Sequence, residues 1–244
     1  MKRVFESARS TLIWIVALPV LAVSCLLIIG LSIVHRGKAV DGLMKAASRL
    51  ILACCGVRVR IRGIENLAPR GRYIIMMNHI NFFDSFVFYS RFPGLARGIE
   101  EESHFRWPIY GWMLRRVGMI PISRKDPAKA RESLAWAAAL VRERLEYSII
   151  ILPEGTRTRD GNLGPFKRGG FHLALETGLD ILPLVQTGAY RINRKGSLLI
   201  RPGKVDLAVL PPIPVAGYAR DAVGELADRT RSVFMEALGT PGSS

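Results

Sequence analysis

Acidic residues are scarce in this chain: 20 Asp and Glu stand against 35 Lys and Arg, a formal net charge of +15 over 244 residues. That imbalance excludes an anion-repelling surface and favours nucleic acid, anionic lipid or polyphosphorylated ligands as partners. Cysteine is scarcer still. Cys25, Cys54 and Cys55 cannot build a disulfide framework, and no Cys/His spacing matches a zinc site. A reducing compartment fits this usage, with the thiols acting as small buried hydrophobes. Also missing is the Gly-x-Ser-x-Gly elbow of an α/β-hydrolase, which leaves Ser85 and Ser123 as the only serines worth weighing as nucleophiles. No zinc-finger or RNA-recognition signature accompanies the positive charge, so a basic nucleic-acid binder has charge alone behind it. Internal repeats and low-complexity tracts are absent too.

Apolar residues, by contrast, are plentiful, at 49% of the chain. Residues 11–34 form a nearly unbroken apolar run. As a helix it spans about 36 Å, enough for a hydrocarbon core of about 30 Å. It exceeds the h-region of a signal peptide. Leu21 to Cys25 resembles a lipoprotein cleavage site, but the apolar run continues past Cys25. Lys2, Arg3 and Arg9 flank one end, and Arg36, Lys38, Lys45 and Arg49 the other. The charge count leans toward a cytoplasmic C-terminal side. Pro19 and Gly30 allow a kink, so crossing the bilayer and dipping into one leaflet both stay open. From about 40 to 55, Val40, Leu43, Met44, Ala47, Leu50 and Ile51 recur at helical spacing with Lys45 and Arg49 between them. This amphipathic helix suits either the bilayer surface or a globular partner.

After Gly56 short apolar runs alternate with amphipathic stretches. Val57 to Arg62 alternates strictly, as an edge strand with one charged face does. Strands are expected at Tyr73–Met77, Met119–Ile122, Ser148–Leu152, Ile181–Val185, Leu198–Arg201 and Val205–Leu210. Helices are expected at Ser85–Arg91, from Asp126-Pro127 to about Glu146, at Arg168–Thr177 ending on Gly178, and from about Tyr218 to Leu238. Strands alternating with helices imply an α/β domain with a mostly parallel sheet flanked by helices. The expected organisation is a membrane-anchoring segment over 1–55, one domain over 56–238, and a frayed tail over 239–244.

Chemistry concentrates in four segments. In Asn78-His79-Ile80-Asn81-Phe82-Phe83-Asp84, histidine and aspartate are five positions apart, so they meet only if the chain turns between them. A strand ending near Asn78 and a helix starting near Asp84 supply that turn, at a strand's carboxyl end where α/β sheets bind ligands. Asp84 would then hold one imidazole nitrogen and leave the other free to take a hydroxyl proton. A loop histidine beside a helix-capping aspartate explains the same pattern without chemistry. Gly118 to Arg124 runs a short strand into an arginine. Pro153-Glu154-Gly155-Thr156-Arg157-Thr158-Arg159, followed by Phe166-Lys167-Arg168, mixes glycine and hydroxyls with one carboxylate and four cations. Gly155 lets backbone approach a ligand, and arginine forks match phosphate oxygens. Ile181 to Val185 is apolar, as an acyl path or plain core would be.

Together and in this order, the four segments resemble the glycerophospholipid acyltransferase family over roughly residues 57–210. Its His-x4-Asp block is similar to His79 through Asp84, and its Pro-Glu-Gly-Thr-Arg block stands intact at 153–157. Pro121 and Ser123 depart from the aromatic and aspartate common in the second block, which leaves Arg124 as the residue to carry over. The resemblance implies transfer of an acyl chain from acyl-CoA or acyl carrier protein to a lysophospholipid hydroxyl, in the first instance the sn-2 hydroxyl of 1-acylglycerol 3-phosphate. Other lysophospholipids, a lyso-ornithine lipid and glycerol 3-phosphate are alternative acceptors. On that reading His79 is the base and Asp84 its orienting partner. Glu154 positions the acceptor, and Arg124, Gly155, Thr156, Arg157, Arg159 and Lys167 form the phosphate site. No metal or redox cofactor is called for, the partners are the bilayer, acceptor and acyl donor, and no nucleic acid is expected.

Overall fold

A computed structural model describes residues 2–35, 37–144, 146–219 and 221–239. The tail beyond 239 and the flanking Arg36 therefore lie outside the described residues. A helix α1 spans Lys2–Val34, longer than the apolar run because the polar first turns continue it. Over Val4–Val34 it is long and apolar enough to cross a membrane. A second helix, α2 (Lys38–Cys54), follows.

Seven strands form one sheet: β1 (Val57–Arg62), β2 (Ile74–Met77), β3 (Leu95–Glu101), β4 (Ile120–Ile122), β5 (Tyr147–Ile151), β6 (Ile181–Thr187) and β7 (Gly203–Val209). Their order is β1-β7-β6-β2-β5-β3-β4, and only the β6–β7 pair is antiparallel. β1 is an edge strand, as its alternation predicts: Val57 and Val59 are buried while Arg58, Arg60 and Arg62 face outward. The remaining helices are α3 (Asp84–Arg91), α4 (Tyr110–Val117), α5 (Pro127–Glu143), α6 (Gly169–Thr177), the short α7 (Ala189–Ile192) and α8 (Val223–Gly239). Asp126 caps α5 by accepting from the amides of Ala128 and Lys129, with Pro127 at the first helical position.

The period of two along the central strands builds two cores. Ile74, Met76, Ile149 and Ile181 point to one face, under α5, α6 and α8. Ile75, Met77, Ile150 and Leu182 point to the other, under α1 to α4. All eight are buried, so both faces are covered at the centre of the sheet. Because β2, β5, β3 and β4 run parallel, their carboxyl ends share one edge of the sheet.

Two expectations need correcting, and one open reading is resolved. Leu198–Arg201 joins no strand ladder. Its backbone is bonded partly from α1, where Ser10 Oγ bonds both the amide and the carbonyl of Ile200 and Trp14 Nε1 donates to the Leu198 carbonyl at 2.8 Å, and partly from Ile192, Asn193 and Ser197. The last helix begins at Val223 rather than Tyr218. Lys45 and Arg49 of α2 donate to the carbonyls of Pro93, Gly94 and Ser90, so the polar residues between its apolar positions are fastened to the protein. Of its two readings, packing against the domain is the one observed.

Candidate active site

β2 ends at Met77, and the chain then turns sharply into α3. One carboxylate makes that turn. Asp84 Oδ2 accepts from the amides of Ile80 (2.8 Å) and Asn81 (3.2 Å), and lies 2.7 Å from His79 Nδ1. The five-residue separation is thereby folded back on itself. Asp84 is 1% exposed and His79 9%. With Nδ1 held by the carboxylate, Nε2 is the ring nitrogen left for a substrate hydroxyl. Among the described residues no serine hydroxyl is hydrogen-bonded to His79, and Ser123 Oγ accepts the Asp126 amide instead.

Two asparagines in the same segment hold the turn from behind. The Asn78 side chain donates to the Gln186 carbonyl and accepts its amide, while Gln186 Nε2 donates to the Asn78 carbonyl. This extends the β2–β6 pairing past the end of the strand. Asn81 Nδ2 reaches the carbonyls of Ala189 and Asn193, and its Oδ1 accepts the Phe83 amide. Neither asparagine was assigned a role from the sequence, although both stand inside the quoted motif.

Pro153 to Arg157 follows β5, the strand beside β2. Glu154 points inward: both its oxygens accept from the His79 amide, at 3.1 and 3.2 Å. The adjoining Thr158 amide donates to the His79 carbonyl. What Glu154 visibly holds is the histidine's own backbone. Burial pushes its carboxyl up from 4.5 to about 7, against the opposing pull of the amides and His79. Gly155 adopts φ +65°, and a Cβ there would strike the Lys167 chain at 2.9 Å, so glycine permits the lysine to cross this loop.

A cavity of about 660 Å³ opens at this sheet edge and runs beneath α1 and α2. His79, Asp84, Arg124, Gly155, Arg157 and Lys167 line it; Glu154, Thr156 and Arg159 do not. Its inner wall is apolar, with Leu21, Cys25 and Ile28 of α1, Met44 and Ile51 of α2, and Met77 of β2 among the contributors. Arg124 Nη1 lies 3.2 Å from Glu101 Oε2. One cation was missed in the sequence. Lys195 Nζ donates to Thr156 Oγ1 (2.7 Å) and to the Arg157 carbonyl (3.2 Å). Its pKa is lowered by desolvation and by the nearby charges of Arg159, Arg157 and Arg124, which marks these four as one cationic cluster. Nothing in its surroundings, Asn193-Arg194-Lys195-Gly196, distinguishes it from an ordinary loop lysine. Ile181 to Leu184 is fully buried and absent from the cavity wall, so it is core rather than acyl path. Among the described residues no group of three His, Cys, Asp or Glu side chains is placed to hold a metal ion.

Comparison with known proteins gives the chain a family and a fold. The acyltransferase family matches residues 58–187. The chain is 32% identical over 189 residues to a 1-acyl-sn-glycerol-3-phosphate acyltransferase of Limnanthes douglasii, covering 78% of this chain and 66% of that one. It is 30% identical to the alpha enzyme of that name from Homo sapiens, covering 94% and 80% of the two chains. The chain thus spans a little under two thirds of the plant relative's length. The crystal structure of the 1-acyl-sn-glycerophosphate acyltransferase PlsC from Thermotoga maritima shares the fold, with a TM-score of 0.77, 21% identity, and coverage of 96% of this chain and 98% of that one. With the family match running from residue 58 to 187, across the histidine–aspartate pair on the cavity wall, and with a relative 30% identical along 94% of this chain, the chain belongs to the glycerophospholipid acyltransferase family.

Proposed function

We propose that this protein transfers a fatty acyl chain from acyl-CoA or acyl carrier protein to the sn-2 hydroxyl of 1-acylglycerol 3-phosphate, giving phosphatidic acid. The observation that carries this reading is the 2.7 Å His79–Asp84 pair on the wall of a cavity that is apolar within and cationic beside the histidine. An unassisted alcohol attacks a thioester poorly, and a placed base contributes about 10²–10⁴-fold. In the proposed step the acceptor oxygen bonds to the thioester carbonyl carbon while its proton passes to His79 Nε2. The carbon–sulfur bond then breaks, and the departing thiolate takes that proton back. Asp84 fixes the tautomer and stabilises the transient imidazolium. Arg157 and Lys167, with Lys195 and Arg124 beside them, supply the charge that receives the acceptor phosphate. Glu154 positions the base through its backbone. The apolar wall formed by α1, α2 and β2 takes the acyl chain.

The same reading places the domain on the cytoplasmic face, where both donors are soluble, with α1 lying along the membrane. Its outer side exposes Leu12, Ile15, Leu18, Leu26, Leu27 and Ile33, while Ser10, Trp14 and Ser32 bond the domain at opposite ends of the helix. The test is radiolabelled oleoyl-CoA with 1-acylglycerol 3-phosphate, beside His79→Ala and Arg157→Ala. Labelled phosphatidic acid from the parent, loss of about 10²-fold or more of kcat in the histidine variant, and a raised acceptor KM in the arginine variant are expected. A His79→Ala variant as active as the parent, with either donor, removes the reading.

A further inference from the structure

On the strength of that acyl-transfer reading, we propose that Glu101 is a headgroup-specificity residue, and that the enzyme also accepts single-chain lipids carrying an ammonium group beside their phosphate. Arg124, which lines the same cavity as the dyad, is not free to serve a phosphate alone. Glu101 closes β3, Arg124 stands two residues beyond β4, and the parallel register sets Glu101 opposite Ile122, bringing the two side chains to 3.2 Å at the cavity wall. The pair is about one third exposed, with side chains at 32% and 37%, so it is within reach of an entering headgroup. The adjacent Glu100, also on the wall, is already occupied by His104 Nδ1 at 2.6 Å.

Charge decides what fits. A phosphomonoester must draw Arg124 away from Glu101 and then sit beside an uncompensated carboxylate. A headgroup with a phosphate and an ammonium exchanges partners instead: phosphate oxygen to Arg124, ammonium to Glu101. Every charge keeps a counter-charge, so desolvation on binding is offset on both sides. Arg157 and Lys167, both on the cavity wall, remain available to a phosphomonoester, which is why both acceptor classes are accommodated.

The test measures kcat and KM for parent, Glu101→Gln and, as control, Glu102→Gln, with one acyl donor and three acceptors. These are 1-acylglycerol 3-phosphate, 1-acylglycerophosphoethanolamine, and 1-acylglycerophosphoglycerol, which keeps the diester but lacks the ammonium. In the parent the phosphoethanolamine lipid should show a lower KM than the phosphoglycerol lipid. Glu101→Gln should lower the KM of the phosphomonoester and raise that of the phosphoethanolamine lipid, each about three- to five-fold, as expected for a partly exposed ion pair. Glu102→Gln, off the cavity wall, should match the parent throughout, which ties the two opposite shifts to Glu101. Two KM values that move together, or stay within about two-fold of the parent, overturn the proposal. So does a parent that acylates 1-acylglycerol 3-phosphate and refuses the phosphoethanolamine lipid, an outcome that leaves the proposed function standing. A parent inert on 1-acylglycerol 3-phosphate yet active, through Glu101, on the phosphoethanolamine lipid removes that acceptor and keeps this one. Inertness on all three, with acyl-CoA and with acyl carrier protein as donor, overturns both.

Discussion

Asp84 gathers three hydrogen bonds on a single oxygen, and that concentration decides what its loss costs. In Asp84→Asn, an amide nitrogen at that place sets a donor against two backbone donors and Nδ1–H. Turning the amide over leaves Oδ2's partners only one oxygen and pushes the nitrogen toward the Asn81 amide. The expected result is a kcat lower by about 10²–10⁴-fold with a smaller change in acceptor KM, since tautomer control fails before binding does. A variant with normal kcat would mean that the aspartate only shapes the loop. Glu154 carries a different prediction. The folded state holds its proton more tightly than the unfolded chain does, because burial lifts its carboxyl from 4.5 to about 7. That stabilisation is fully present below pH 4.5 and is lost as pH rises through about 7. The gap from 4.5 to about 7 corresponds to about 3 kcal/mol. Glu154→Gln keeps an acceptor for the His79 amide without the ionisation, so urea unfolding should show its stability falling less than the parent's between pH 5 and 8. Parallel pH profiles would sink this account. The catalytic pair was legible in the sequence because only a turn lets His79 and Asp84 meet, and strand and helix signals flank that turn. Lys195, Asn78 and Asn81 were not, since their roles depend on partners about 40 to over 100 positions away.

At the scale of elements, α2 is held to the sheet by charge as well as apolar contact. Asp41, 3% exposed, meets Arg97 of β3 at 2.6 Å, and Arg97 also donates to Tyr147 Oη and lies 4.0 Å over that ring. Breaking a buried pair strands the survivor, at a cost of about 3–5 kcal/mol, whereas replacing both partners with apolar residues is often neutral. Asp41→Ala should therefore lower the unfolding midpoint strongly, and Asp41→Leu combined with Arg97→Met should recover most of the loss. A double variant no better than Asp41→Ala would show that the charges themselves, not their pairing, hold α2. This same arginine hid β3 from the sequence. Leu95-Ala96-Arg97-Gly98-Ile99-Glu100-Glu101 has neither an apolar run nor clean alternation, because an inward position is filled by an ion pair. Leu198–Arg201 erred the other way: apolar and short, it reads as a strand, but its backbone is bonded by its own preceding loop and by side chains of α1, nearly 190 residues earlier. β2, β5 and β6 were legible because burial on both faces leaves an unmistakable apolar signature.

For the whole molecule, the open question from sequence was whether residues 11–34 cross the bilayer or dip into it, and composition alone fits either. The contacts of α1 favour the proposed course along one leaflet. Its 33 residues extend about 50 Å, well beyond a hydrocarbon core of about 30 Å. Glu6 pairs with Arg201 at 3.0 Å near one end, and Arg116 reaches Ser32 at 3.1 Å near the other, so the folded domain accompanies the helix along most of its length. Were α1 to cross, the charged surface of the domain would have to enter the hydrocarbon with it, at a cost of several kcal/mol per group. Lying in one leaflet, the helix buries its outward Leu and Ile side chains in lipid and leaves the basic domain against anionic headgroups, where each well-placed cation adds about 1 kcal/mol. Both ends of α1 must then face the same compartment. With Cys54→Ala as background, since Cys25 and Cys55 are buried, Ser7→Cys near the start of α1 and Lys38→Cys, at the start of α2 just past the end of α1, place exposed thiols on either side of the helix. A membrane-impermeant maleimide should label both in inverted bacterial vesicles and neither in right-side-out ones. Labelling of the two positions from opposite sides would establish a crossing helix. Labelling of both only in right-side-out vesicles would put the domain on the wrong face for a cytosolic donor.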